Sequence, residues 1–91
     1  MMKYNERFKL FYTGELSGTT VHYYLSAMDL CCSDISVAID REQLWIAAHV
    51  TEKDKFRVRL NHVYIHVCPF CKASIGCEYR IPGKGVEFIE L

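Results

Sequence analysis

Cys68-Pro69-Phe70-Cys71 is the stretch that decides the fold, because it places two thiols, separated by two residues, on a turn that contains proline. This spacing is typical of one half of a tetrahedral zinc site, and it is also found in redox-active thiol pairs. Far upstream, the adjacent residues Cys31 and Cys32 offer two more thiols. Whether these two pairs meet in the fold decides between a small metal-stabilised domain and a thiol enzyme.

Length and composition limit the classes of protein to which the chain can belong. It has 91 residues, of which 51% are hydrophobic, and we expect one zinc-stabilised α+β domain over residues 1–91, since a metal adds stability to a small core. Eleven basic and eleven acidic residues cancel, so net charge favours neither a nucleic acid nor a membrane. No apolar run suits a signal peptide or a membrane span. We therefore expect a cytoplasmic protein, where clustered cysteines indicate metal or redox chemistry.

Residue patterns predict an α+β fold in which a small antiparallel sheet packs against one short helix. Strands are predicted at residues 6–13, 19–25, 45–50, 56–67, 78–81 and 86–91, with turns at residues 14–18 and 82–85 and a charged turn at residues 51–55. The apolar face changes partway through residues 56–67, which predicts a break near Asn61 and His62. A helix is predicted over residues 33–43 with Ser33 as its N-cap. Residues 21–30 also suit a helix, which leaves that segment open.

A zinc site at Cys68 and Cys71 needs two further ligands. The candidates in the sequence are Cys31, Cys32, Cys77, His62 and His66. We favour the Cys31-Cys32 pair, because it precedes the predicted helix, where the helix dipole favours a thiolate. Adjacent residues in an extended chain project to opposite faces, an objection that weakens at a helix start. His66 is the best substitute that is not a thiol, whereas Cys77 is better explained as a buried core residue.

The run Tyr64-Ile65-His66-Val67-Cys68-Pro69-Phe70-Cys71, preceded by Cys31-Cys32 and a short helix, resembles a group of small bacterial and phage proteins that are taken to be zinc-ribbon-like. The resemblance spans about residues 30–75. It implies that the zinc ligands are Cys31, Cys32, Cys68 and Cys71. The knuckle in such proteins usually closes on glycine, and here that residue is Lys72. Most members of the group have no assigned activity, so the resemblance implies a site and not a reaction.

The leading functional hypothesis is a structural-zinc interaction module, not an enzyme, that binds a protein partner or forms a homo-oligomer. A nucleic-acid-binding module is the first alternative, since basic residues alternate at Lys53, Lys55, Arg57 and Arg59 and such a stripe suits a phosphate backbone. With Glu52 and Asp54 interleaved, the same stripe also suits a solvated strand face.

A thiol–disulfide oxidoreductase that uses Cys68 and Cys71 is the second alternative, because Cys-Pro-Phe-Cys-Lys resembles a glutaredoxin active site. That fold requires a helix directly after the motif. Only 20 residues follow Cys71, and glycine and proline interrupt them. The sequence therefore disfavours this reading.

Overall fold

The protein has one helix and eight strands within residues 4–52 and 55–91, the part of the chain that the computed structural model describes. The helix α1 spans Ser33–Asp40. The strands are β1 Phe8–Ser17, β2 Thr20–Asp29, β3 Leu44–Ile46, β4 His49–Val50, β5 Val58–Leu60, β6 Val63–Tyr64, β7 Ile75–Ile81 and β8 Gly85–Glu90. They form a five-stranded sheet in the order β4-β2-β1-β7-β8 and a three-stranded sheet in the order β3-β5-β6. The predicted α+β class with one short helix is confirmed.

The five-stranded sheet is mixed, whereas the sequence predicts an antiparallel one. β1 and β7 run parallel, and every other strand pair in the two sheets is antiparallel. Parallel neighbours require a long crossover, because the chain must return to the same end of the sheet. Here the crossover contains β2, α1 and the whole three-stranded sheet. Both cysteine pairs lie on it.

Alternate residues of β1 and β7 build the core. Facing residues pair in register across the two strands, as Phe8 with Ile75 and Leu10 with Cys77, and all of these side chains are buried. Ile35 of α1 packs into the same core cluster. Burying a large apolar side chain stabilises the fold by about 1.5 to 3 kcal/mol. This sheet face therefore anchors the helix start, where one cysteine pair lies.

An aromatic cluster joins the segment before β5 to the five-stranded sheet. The ring of Phe56, which is buried, lies 4.7 Å from Tyr12, 5.6 Å from Tyr23 and 5.4 Å from Tyr79, measured between centroids. Tilted and edge-to-face rings at these distances attract one another beyond the effect of their burial. The three-stranded sheet is thereby held against the core.

The predicted turn at residues 14–18 is wrong in its position, because β1 continues to Ser17. Gly14 is needed for a close approach and not for a turn, since a Cβ atom there would lie 2.3 Å from the carbonyl oxygen of Arg80. The turn lies instead at Gly18, whose φ is 62°, a conformation that glycine adopts without strain. β2 then extends to Asp29, so residues 21–30 do not form a helix.

The helix ends three residues before the predicted end at residue 43. Glu42 has a φ of 57° and donates its N–H to the carbonyl of Ile39, while Gln43 donates to Ala38. This pair of bonds is a Schellman motif, which ends a helix. The N-cap is Cys32 and not Ser33. Within the described ranges, no helix is both long enough and apolar enough to cross a membrane.

Two other predicted strands are divided in the structure. Residues 45–50 contribute β3 to the three-stranded sheet and β4 to the five-stranded sheet. Residues 56–67 break at Asn61 and His62, as predicted, and both residues have positive φ, 49° and 70°, as a tight hairpin turn requires. The hairpin predicted around residues 82–85 is confirmed by the pairing of β7 with β8. Lys53 and Asp54 of the predicted charged turn lie outside the described residues.

Candidate metal centre

The two cysteine pairs, which are distant in sequence, come together in the fold. All four Sγ atoms lie within 4.8 Å of one another and form what we term the four-cysteine cluster: Cys31, Cys32, Cys68 and Cys71. The Sγ atoms of Cys31 and Cys32 are 3.9 Å apart, and those of Cys32 and Cys68 are 3.7 Å apart. These are free thiols, since disulfide sulfurs lie only about 2.0 Å apart. The sequence-predicted set of ligands is thus brought together.

The sulfur positions fit a single metal ion. Sulfurs at about 2.3 Å from a tetrahedral zinc ion are separated by about 3.8 Å along each edge of the tetrahedron. The distances of 3.7 and 3.9 Å in the four-cysteine cluster lie on either side of that value. Thiolates are soft ligands, and four of them in a tetrahedron suit zinc or iron. The cluster could therefore hold a metal ion.

The Cys68–Cys71 turn is closed by backbone hydrogen bonds. The N–H of Cys68 donates to the carbonyl of Ala73 at 2.7 Å, and the N–H of Lys72 donates to the carbonyl of Cys68 at 2.9 Å. Lys72 has a φ of 68°, in the left-handed region that favours glycine. The position where the resembled proteins have glycine therefore has the backbone conformation that glycine suits, although its residue is lysine.

The Cys31-Cys32 pair lies at the corner between β2 and α1. The N–H of Asn5 donates to the carbonyl of Leu30 at 2.8 Å, which ties the corner to the segment before β1. Cys32 is extended, with a φ of −164°, and is the N-cap of α1. Adjacent residues of an extended chain project to opposite faces, but the sulfurs of Cys31 and Cys32 converge to 3.9 Å. The two residues can therefore both face one site.

Three thiols of the four-cysteine cluster have a shifted pKa. Burial raises the pKa of Cys31, and hydrogen bonds with neighbouring cysteines raise it further. Burial also raises the pKa of Cys32, although the backbone N–H of Ile35 opposes this by favouring the thiolate. The pKa of the exposed Cys71 is lowered, chiefly by the backbone N–H of Ala73. A bound metal ion would favour the thiolate forms and displace the protons of the thiols that it binds.

The other candidate ligands lie elsewhere. Cys77 is fully buried in the core, and burial raises the pKa of its thiol to about 12. His62 and His66 are exposed, and neither belongs to the four-cysteine cluster. Within residues 4–52 and 55–91, this cluster is the one group of three or more potential metal ligands.

The structure also groups residues that the sequence does not connect. Trp45 of β3, Arg59 of β5 and Tyr64 of β6 lie directly opposite one another across the three-stranded sheet. We call these three residues the cross-strand row. Arg59 belongs to the predicted basic stripe, but its aromatic neighbours could be found only from the register of three strands of two or three residues each.

A substitution at Lys72 tests whether its backbone conformation matters. We expect Lys72→Val to destabilise the protein by about 1 to 2 kcal/mol, because a β-branched residue is strained at positive φ. Lys72→Gly is the matched control, and we expect it to be at least as stable as the wild type. Thermal unfolding of metal-loaded samples measures both. Equal stability of the valine and glycine variants would contradict the left-handed conformation at this position.

Comparison with known proteins finds no relative of this chain. No protein-family model matches the chain, and neither a curated protein nor a solved structure is significantly similar to it. The candidate metal centre is therefore interpreted from the positions and chemistry of its own residues.

Proposed function

We propose that the chain is a small zinc-binding interaction module in which Cys31, Cys32, Cys68 and Cys71 hold one structural zinc ion. The observation that carries this proposal is the convergence of the four Sγ atoms within 4.8 Å. An iron–sulfur cluster would hold its thiolates farther apart, because iron and sulfide atoms lie between them. A single tetrahedral ion fits the short separations, and zinc is the ion that such closed sites most often contain. The implied zinc-ribbon-like character is supported by the knuckle at Cys68 and Cys71.

The proposed role of the metal is structural and not catalytic. A catalytic zinc ion keeps one position open for water or substrate, whereas four protein thiolates close the coordination sphere. The ion would link the corner before α1 to the knuckle before β7, which lie 36 residues apart as measured from Cys32 to Cys68. Such a link removes freedom from the unfolded chain and stabilises the fold. A cytoplasmic location is part of the proposal, since all five cysteines are free thiols.

The oxidoreductase alternative has less support. Cys71 is exposed and its pKa is lowered, as a reactive thiol requires, but its neighbour Cys68 is fully buried. After Cys71 the chain enters a turn and then β7, and no helix follows within the described residues. If all four thiolates bind a metal ion, none remains to attack a disulfide. We therefore propose that the protein is not an enzyme.

The partner of the module would bind an exposed surface of the fold. The sequence predicts a protein partner or a second copy of this chain first, and a nucleic acid second. Several large apolar side chains are exposed, among them Leu16, Val63 and Phe70, and they lie on different elements. The cross-strand row has a more specific composition, since it combines two aromatic rings with a guanidinium group.

Metal content and cysteine variants test the proposed function. We expect one zinc ion per chain by native mass spectrometry, and loss of folded structure on chelation, measured by circular dichroism, because metal binding and folding are coupled. Zinc binding should be much weaker in each of the single variants Cys31→Ser, Cys32→Ser, Cys68→Ser and Cys71→Ser. Cys77→Ala is the matched control and should keep one zinc ion per chain, because Cys77 lies in the core. A metal-free protein that is equally stable would rule the proposal out.

A disulfide-reduction assay tests whether the protein is an enzyme. We expect the zinc-loaded protein to reduce insulin no faster than the dithiol reductant alone, since its thiolates are bound to metal. The Cys71→Ser variant serves as the control for background. Reduction by the wild type that the variant lacks would favour the oxidoreductase alternative.

A further inference from the structure

The cross-strand row presents two aromatic rings and a guanidinium group on one face of the three-stranded sheet. Directly opposed residues of antiparallel strands project to the same side, and Trp45, Arg59 and Tyr64 are opposed in this way. Trp45 remains 46% exposed and Tyr64 56% exposed. Large aromatic side chains at this exposure offer flat surfaces on which another planar group can stack.

The guanidinium groups lie against these rings. The Cζ atom of Arg59 is 4.1 Å from the centroid of the Trp45 ring and 5.7 Å from that of Tyr64. The Cζ atom of Arg57 is 5.6 Å from the Tyr64 ring. Within the described part of the chain, the Nε atom of Arg59 is buried without a hydrogen-bond partner. The rings of Trp45 and Tyr64 are therefore the contacts that position this side chain.

Arg57 and Arg59 bring two cations to this face, although the chain is neutral overall. Among the described residues, the two ion pairs are Arg7–Glu90 and Lys9–Glu78, so neither Arg57 nor Arg59 has an acidic partner there. An unpaired cation beside an exposed ring is a poor site for an apolar partner, which would have to bury that charge uncompensated. A polyanion would instead supply the missing charges.

Two open hollows adjoin the row, and Trp45 lines both. The larger, of about 880 Å³, also has Lys55, Arg57 and Tyr64 in its walls. The smaller, of about 230 Å³, has Arg59 in its wall. Each hollow also contains one acidic side chain, Glu90 in the larger and Glu42 in the smaller. The positions of the cations leave a path across the sheet on which phosphates and bases could alternate.

We propose that the cross-strand row binds single-stranded nucleic acid. Bases stack on Trp45 and Tyr64, and phosphates contact Arg57, Arg59 and Lys55. Exposed rings interleaved with cations are the features by which single strands are bound without sequence preference. A duplex is a poor fit, since its bases are already stacked on one another and are not free to stack on the rings. The inference deepens the proposed function by naming the partner, and it requires the zinc-loaded fold.

The single tryptophan of the chain makes this inference directly measurable. Because Trp45 is the one tryptophan, its fluorescence reports stacking on this face alone. Titration of the zinc-loaded protein with oligothymidylate or oligouridylate of about twelve nucleotides, long enough for such sites, should quench it saturably. The affinity should fall with salt, with a slope of about −0.7 for each phosphate contacted. Quenching by the oligouridylate alone would identify RNA as the source of the strand.

Variants separate stacking from charge. Trp45→Ala and Tyr64→Ala should each weaken binding of a labelled oligonucleotide by about five- to hundredfold, as expected for loss of one stacked base, and Trp45→Phe should recover part of that loss. Arg57→Ala and Arg59→Ala should each reduce the salt slope by about 0.7. Arg80→Ala is the control, because Arg80 is exposed on β7, outside the row, and it should leave binding unchanged.

Three results would overturn the inference, and each can be distinguished from a failure of the proposed function. A folded protein with one zinc ion per chain and no quenching by either oligonucleotide overturns the inference and leaves the zinc module intact. Self-association that Trp45→Ala abolishes, measured by sedimentation without nucleic acid, also overturns it, because the row would then be a contact between copies. Loss of binding in Arg80→Ala equal to that in Arg59→Ala would show non-specific attraction and overturn the assignment to the row.

Discussion

The convergence of four thiols between the start of α1 and the Cys68–Cys71 turn is the constraint on which the account of this protein depends. The thiols lie on one crossover, between the parallel strands β1 and β7, and adjacent segments of that crossover also form the three-stranded sheet. Buried thiols close together disfavour ionisation, and the pKa of Cys31 is raised accordingly. A bound divalent ion would reverse this by pairing with the thiolates. The same ion would then neutralise the site and stabilise the crossover.

The candidate metal site was predictable from the sequence to the extent that ligand spacing is local. Two cysteines at a three-residue interval indicate a knuckle wherever they occur, and Cys31 and Cys32 before a helix indicate a second pair of ligands. Sequence also places Cys77 in the core, as the structure confirms. The chain does not reveal, without the fold, that the sulfurs of adjacent residues converge. That geometry depends on the bend at Cys31 and on the extended conformation of Cys32.

Errors in the predicted fold arise where long-range contacts override local preference. Glycine is a residue typical of turns, yet at Gly14 it is the close approach of the Arg80 carbonyl that requires glycine. The parallel pairing of β1 with β7 has no local signal either, since it joins segments separated by the whole crossover. The cross-strand row is a third case. The alternating basic residues are visible in the sequence, but the rings of Trp45 and Tyr64 join them only through strand register.

The proposed division of roles assigns stability to the four-cysteine cluster and recognition to the three-stranded sheet beside it. Both rest on the claim that one zinc ion is bound by four sulfurs. X-ray absorption at the zinc edge of the purified protein measures this most directly. The account predicts a first shell of four sulfurs at about 2.3 Å. A first shell that contains nitrogen or oxygen at about 2.0 to 2.1 Å would contradict it, because a histidine, a carboxylate or water would then replace one of the four cysteines.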